Sequence, residues 1–131
     1  MRHLIALIGL TLLTTPLPAQ ERKVTIVQIW ENFLASSVAH NKCGTKDEAL
    51  EKKFAMNLFE VTIRATQKVK EEKPENPEAK LVKLMDNKGK EIRAKVEEIA
   101  ASKGCDFDGI QRLLKLYKFH AEWDMHKSAG R

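Results

Sequence analysis

A chain with two cysteines has one internal pairing to make, and a Cys43–Cys105 bridge would constrain the fold more than any other feature of this sequence. A disulfide needs Cα atoms about 4–7 Å apart, so two distant points of the chain would have to meet. The bridge would close a loop of about 60 residues and contribute roughly 4 kcal/mol by the chain-entropy estimate. That is a large share of the stability of a small domain. Two cysteines are too few for a disulfide-dense scaffold or a four-cysteine zinc site. The alternatives are two free thiols or bridges between chains.

The redox compartment favours the internal bridge, and the N-terminus speaks to that compartment. Met1-Arg2-His3 is a short basic start, Leu4 to Leu13 is uncharged and apolar, and Thr14-Thr15-Pro16-Leu17-Pro18-Ala19 is a helix-breaking end with a small residue for a peptidase. This is the three-part pattern of a secretory signal, with cleavage expected after Ala19. The apolar run is well short of the roughly 20 residues that span a bilayer; an uncleaved anchor is the alternative. No cysteine lies near the cleavage point, which argues against a lipoprotein. Residues 1–19 are therefore expected to be removed, and 20–131 to form a single helical domain in the periplasm or outside the cell, with no transmembrane segment after processing. The formal charge of +5 falls by one with the loss of Arg2. At 43 % hydrophobic and 31 % charged residues, the chain is neither a multispan membrane protein nor disordered.

The remainder reads as helices. The first spans about residues 26–42, capped by Thr25 with Gln28 three residues on. Its β-branched start, Val24 to Trp30, also permits a strand. Gly44 is a natural stop. Thr45-Lys46-Asp47-Glu48 reads as a capping box for a second helix that runs to Glu72, ahead of Pro74. Leu50, Phe54, Leu58, Val61, Ala65 and Val69 share one face of it. Asn76 and Pro77 suit the cap and first position of a third helix. Asp86-Asn87-Lys88-Gly89 carries a turn signal that would split this helix. Yet Leu81, Met85, Ile92, Val96 and Ile99 keep one helical phase across it, which favours a single helix kinked or broken near Gly89. Gly104 ends it, and Asp108 with Gln111 is expected to cap a last helix over residues 109–126.

The cysteines discriminate between the readings. In an up-down arrangement of four helices, Cys43 and Cys105 lie at the same end; with five helices of comparable length they lie at opposite ends. A bridge thus favours an all-α, up-down four-helix bundle. The two middle helices, about 40 Å long by their rise per residue, form a long central hairpin. Its charged turn, residues 68–80, is expected to project into solvent.

No catalytic motif is present: no phosphate loop, no His-Glu-x-x-His, no Gly-x-Ser-x-Gly and no Cys-x-x-Cys. The chain is expected not to be an enzyme, and no cofactor is implied. His120 and Asp124, one helical turn apart, are weak candidates for a metal or an acid–base pair, since a metal site needs three or four convergent ligands. His40-Asn41-Lys42-Cys43 has ligand-like spacing, but an oxidised cysteine cannot ligate. The basic residues are scattered, which argues against nucleic-acid binding.

Surplus apolar stripes are the more informative feature. Met56, Phe59 and Ile63 lie opposite the main face of the second helix. Leu116, Phe119 and Trp123 lie off the main face of the last one. They either pack within the monomer or form a surface for a protein partner, a second copy or a lipophilic ligand. The first helix adds an uncharged back face of Gln28, Asn32, Ala35, Ser36 and Ala39. The expectation is an exported, non-enzymatic interaction protein of the inhibitor, immunity, chaperone or envelope-assembly type. The alternative is a carrier holding a small apolar ligand between the aromatic residues of the first and last helices.

Overall fold

The computed structural model describes residues 24–128. The expected signal, residues 1–19, lies outside them. Four main helices pack against one another: α1 (Ile26–Cys43), α2 (Glu48–Glu72), α3 (Glu78–Lys103) and α4 (Asp108–Glu122), followed by one short turn, α5 (Met125–Ser128). Among the described residues there is no strand. The β-branched start of α1 is helical because its cap is complete. Thr25 Oγ1 accepts from Gln28 N at 3.2 Å, and Gln28 Oε1 accepts from Thr25 N at 3.0 Å.

The other caps differ from the sequence reading. Helix α2 starts from Asp47, whose Oδ1 accepts from Leu50 N at 3.1 Å, and not from Thr45. A helix capped by Thr45 would leave only residues 44–45 to reverse the chain between two antiparallel helices; the Asp47 cap leaves residues 44–47 for the turn. Pro77, not Asn76, is the cap of α3 and has no side-chain hydrogen bond to offer. Phe107 takes the cap of α4, so the Asp108–Gln111 box does not form. Gln111 Nε2 instead donates to Cys105 O at 2.8 Å, and Asp108 pairs with Arg112 at 3.0 Å.

Helix α3 runs unbroken through Asp86–Gly89. Its preserved apolar phase outweighs the local turn signal, and Lys90 bridges the segment by pairing with Asp86 at 2.8 Å. Gly104 ends α3 at φ +80°, a conformation that favours glycine, and so aims Cys105 back toward α1. The Cys43–Cys105 bridge is formed, with Cα atoms 5.5 Å apart, and the four-helix parity holds.

Helix α1 is the hub. It packs against α2, α3 and α4; α2 also packs on α4 but touches α3 only lightly. Trp30, Phe33, Phe54, Val61, Ala65, Tyr117, Ala121 and Met125 form the larger core cluster, and Ala39, Val96 and Ile110 a smaller one by the disulfide. The uncharged back face of α1 is divided: Gln28 and Asn32 are exposed, whereas Ser36 lies beside His120 of α4 and Ala39 is buried with Val96 of α3. Helices α2 and α3, at 25 and 26 residues against 18 and 15 for the outer pair, carry an exposed, charged turn beyond Leu81. Lys70 and Glu78 pair across it at 2.8 Å.

Two stability measurements follow. Replacing both Cys43 and Cys105 by Ser should lower the unfolding free energy by about 4 kcal/mol in urea titrations. Gly89→Ala should raise it by about 1 kcal/mol. Glycine is the poorer helix former by that amount, and an added Cβ would meet only Leu34 Cδ1, at an ordinary 3.5 Å.

Candidate functional site

The inward face of α2 is Phe54, Leu58, Val61 and Ala65, which pack on the neighbouring helices. Met56, Phe59 and Ile63, spaced i, i+3, i+7, fall on the other side. Because α3 leans on α1 rather than on α2, nothing among the described residues covers them. Met56 is 65 % exposed, Phe59 69 % and Ile63 50 %. Polar groups beside this stripe are already engaged. Arg64 pairs with Glu60 at 2.7 Å; Thr62 Oγ1 donates to Leu58 O at 2.7 Å and Thr66 Oγ1 to Thr62 O at 2.8 Å. The stripe thus offers apolar area flanked by satisfied polar atoms.

The second expected stripe does not survive as a unit. Phe119 is 60 % exposed, but Leu116 and Trp123 are half-buried, and Trp123 packs on the main core with its ring centroid 6.2 Å from that of Phe33. The cause is an earlier helix end than the sequence suggests. Helix α4 stops at Glu122 instead of continuing to His126. Asn57 of α2 takes over the released carbonyls, its Nδ2 donating to His120 O at 2.8 Å and Trp123 O at 2.9 Å. Asp124 then caps α5, its Oδ1 accepting from His126 N at 3.0 Å, and Met125 turns into the core.

The break also removes the one-turn relation between His120 and Asp124. The His120 ring is buried, stacked on Phe33 with centroids 3.8 Å apart, and its Nδ1 is 3.3 Å from Ser36 Oγ. Burial lowers its pKa to about 4, so the imidazole is neutral near pH 7. His40 is likewise not paired with Cys43 as a ligand; it stacks on Tyr117 at 3.9 Å, and its Nε2 is 3.2 Å from Glu51 Oε1. Tyr117 stacks in turn on Phe54 at 3.9 Å. Burial, and then Glu51 and Asp47, raise the pKa of its hydroxyl. Among the described residues, no group of three or more His, Cys, Asp or Glu is placed to hold a metal ion. The rings of α1 and α4 fill the space between these helices with one another.

The sequence reading missed Asn57, because its role depends on carbonyls more than 60 residues away. It also passed over the exposed Val82 and the side of α3 that carries it; a glycine at mid-helix was the available signal. Comparison with protein-family models, with curated proteins and with solved structures finds no match for the chain.

The buried imidazole makes stability depend on pH. Between its ordinary pKa of 6.5 and the folded value of about 4, the unfolded chain binds the proton and the folded chain does not. His120 therefore contributes stability that is fully present above pH 6.5 and is lost as the pH falls through this window, by up to about 3 kcal/mol. Urea midpoints measured from pH 7 to pH 4 should fall, and His120→Phe should flatten that slope.

Proposed function

We propose that this is an exported, non-enzymatic protein that works by seating the outer face of α2 in an apolar groove of a partner protein. The observation that carries the reading is the Met56/Phe59/Ile63 stripe: three large apolar side chains, each at least half exposed, on a helix whose inward face is already satisfied. An amphipathic helix offers such i, i+3, i+7 anchors when it docks in a groove, and contiguous exposed apolar surface marks interaction sites. The inhibitor, immunity, chaperone and envelope-assembly roles are all compatible with this mode of action. The N-terminal signal pattern and the Cys43–Cys105 bridge support export to an oxidising compartment.

The test is a pair of charge substitutions with a photo-crosslinking residue at position 56. Phe59→Glu with Ile63→Glu should leave the unfolding free energy within about 1 kcal/mol, since both sites are exposed. It should abolish the crosslink formed in the native compartment and weaken binding to the crosslinked partner at least tenfold, the loss expected for central apolar anchors. Unfolding of the double variant, or a crosslink that persists in it, would refute the assignment. A crosslink to a second copy would identify a homodimer instead.

A further inference from the structure

The light contact between α2 and α3 leaves a groove of about 360 Å³. Its floor is Trp30 and Leu34 of α1 with Leu58 of α2. Thr62 and Thr66 form one wall, and their hydroxyls are already bonded to α2 carbonyls. On the other wall Val82, Asp86, Gly89 and Arg93 recur at i, i+4, i+7 and i+11, one stripe along α3. The volume is at the lower end of the range for small-molecule sites, about 300–1,000 Å³. About 16 Å of helix separates Val82 from Arg93 at the α-helical rise, the length scale of an extended acyl chain, and the volume leaves room for a single one.

Two features of this groove bear on what it could hold. Gly89 sits in mid-helix, where glycine is the poorer choice by about 1 kcal/mol. Its backbone is helical and an alanine Cβ would meet only Leu34 Cδ1 at 3.5 Å, so neither conformation nor packing requires it. A larger side chain there would fill the groove. Arg93 makes no ion pair with any described residue, although Asp86 and Lys90, which also line the groove, pair with each other at 2.8 Å. The groove is thus an apolar trough with one unpaired guanidinium on its rim.

We infer that this groove binds the single acyl chain of an anionic amphiphile, with the chain over Trp30, Leu34 and Gly89 and the head group at Arg93. Guanidinium suits carboxylate and phosphate alike, so a free fatty acid and a lysophospholipid share the required chemistry. The site borders the Met56/Phe59/Ile63 stripe along Thr62 and Thr66 but uses none of its three apolar residues.

Trp30 provides the readout. In the full chain carrying Trp123→Phe, it is the only tryptophan. Titration with 9,10-dibromostearate should quench its fluorescence saturably at one molecule per chain, and stearate or a single-chain phosphatidylglycerol should reverse the quenching. Gly89→Leu and Arg93→Glu should each weaken binding at least tenfold, with Arg93→Lys retaining most of it. Val82→Glu, at an exposed position that leaves the fold intact, should also weaken it. An unbranched amine of the same chain length should fail to compete. Quenching that is unchanged in folded Gly89→Leu and in Val82→Glu would overturn the inference. So would equal competition by the amine, or quenching by brominated vesicles but not by the monomeric acid, which would point to a membrane surface.

Discussion

Helix α1 has a single charged residue, Glu31, between Val24 and Asn41, and the rest of the architecture is arranged around that fact. A helix with so little charge must be covered on several sides, and only polar positions such as Gln28 and Asn32 are left to water. Three helices do this: α2, α3 and α4 each bury apolar side chains against α1. Because each satisfies its own inward face on the hub, α2 and α3 have little need of each other despite being joined by a short turn. Their loose contact and the uncovered outer face of α2 are two results of the same arrangement.

Between α1, α2 and α4 the hub is held by stacked rings as well as by aliphatic contacts. His40, Tyr117, Phe54, Phe33 and His120 follow one another with centroids from 3.8 to 5.4 Å apart. Imidazoles end this series, and each has a polar neighbour: Glu51 for His40 and Ser36 for His120. Flat rings allow close approach of helices while the terminal nitrogens meet oxygen atoms, and no buried side-chain polar atom among the described residues lacks a hydrogen-bond partner.

Features set by local spacing were legible in the sequence. The Thr25–Gln28 cap, the buried positions Phe54, Val61 and Ala65, the phase of α3 across Gly89 and the exposed turn between α2 and α3 all follow from residues a few positions apart. The disulfide was legible because two cysteines and an export-signal pattern pointed to it, and the bridge in turn selected four helices over five. Features set by distant contacts were not. The end of α4 depends on Asn57, which sits on another helix and carries no local signature of that role. The face of Ser36 and Ala39 looked available to an outside partner because its smallness says that something approaches closely, not what does; the answer was α3 and α4. The expected Thr45 box gave way to Asp47, because the chain reversal needs the residues between. Of the candidate stripes, the one within an uninterrupted helix kept its exposure, and the one that crossed a helix end did not.

The position of the disulfide has a consequence for covalent integrity. The bridge spans all of α2 and α3, and the exposed Lys73–Asn76 turn is the chain's outermost link between them. A protease that cuts this turn separates the backbone into two helical pairs, α1–α2 and α3–α4, yet Cys43–Cys105 still joins them as one molecule. Nicked protein would therefore migrate at full mass until reduced, with the bridge joining the halves at one pole and the α1–α3, α1–α4 and α2–α4 packing holding them along the bundle.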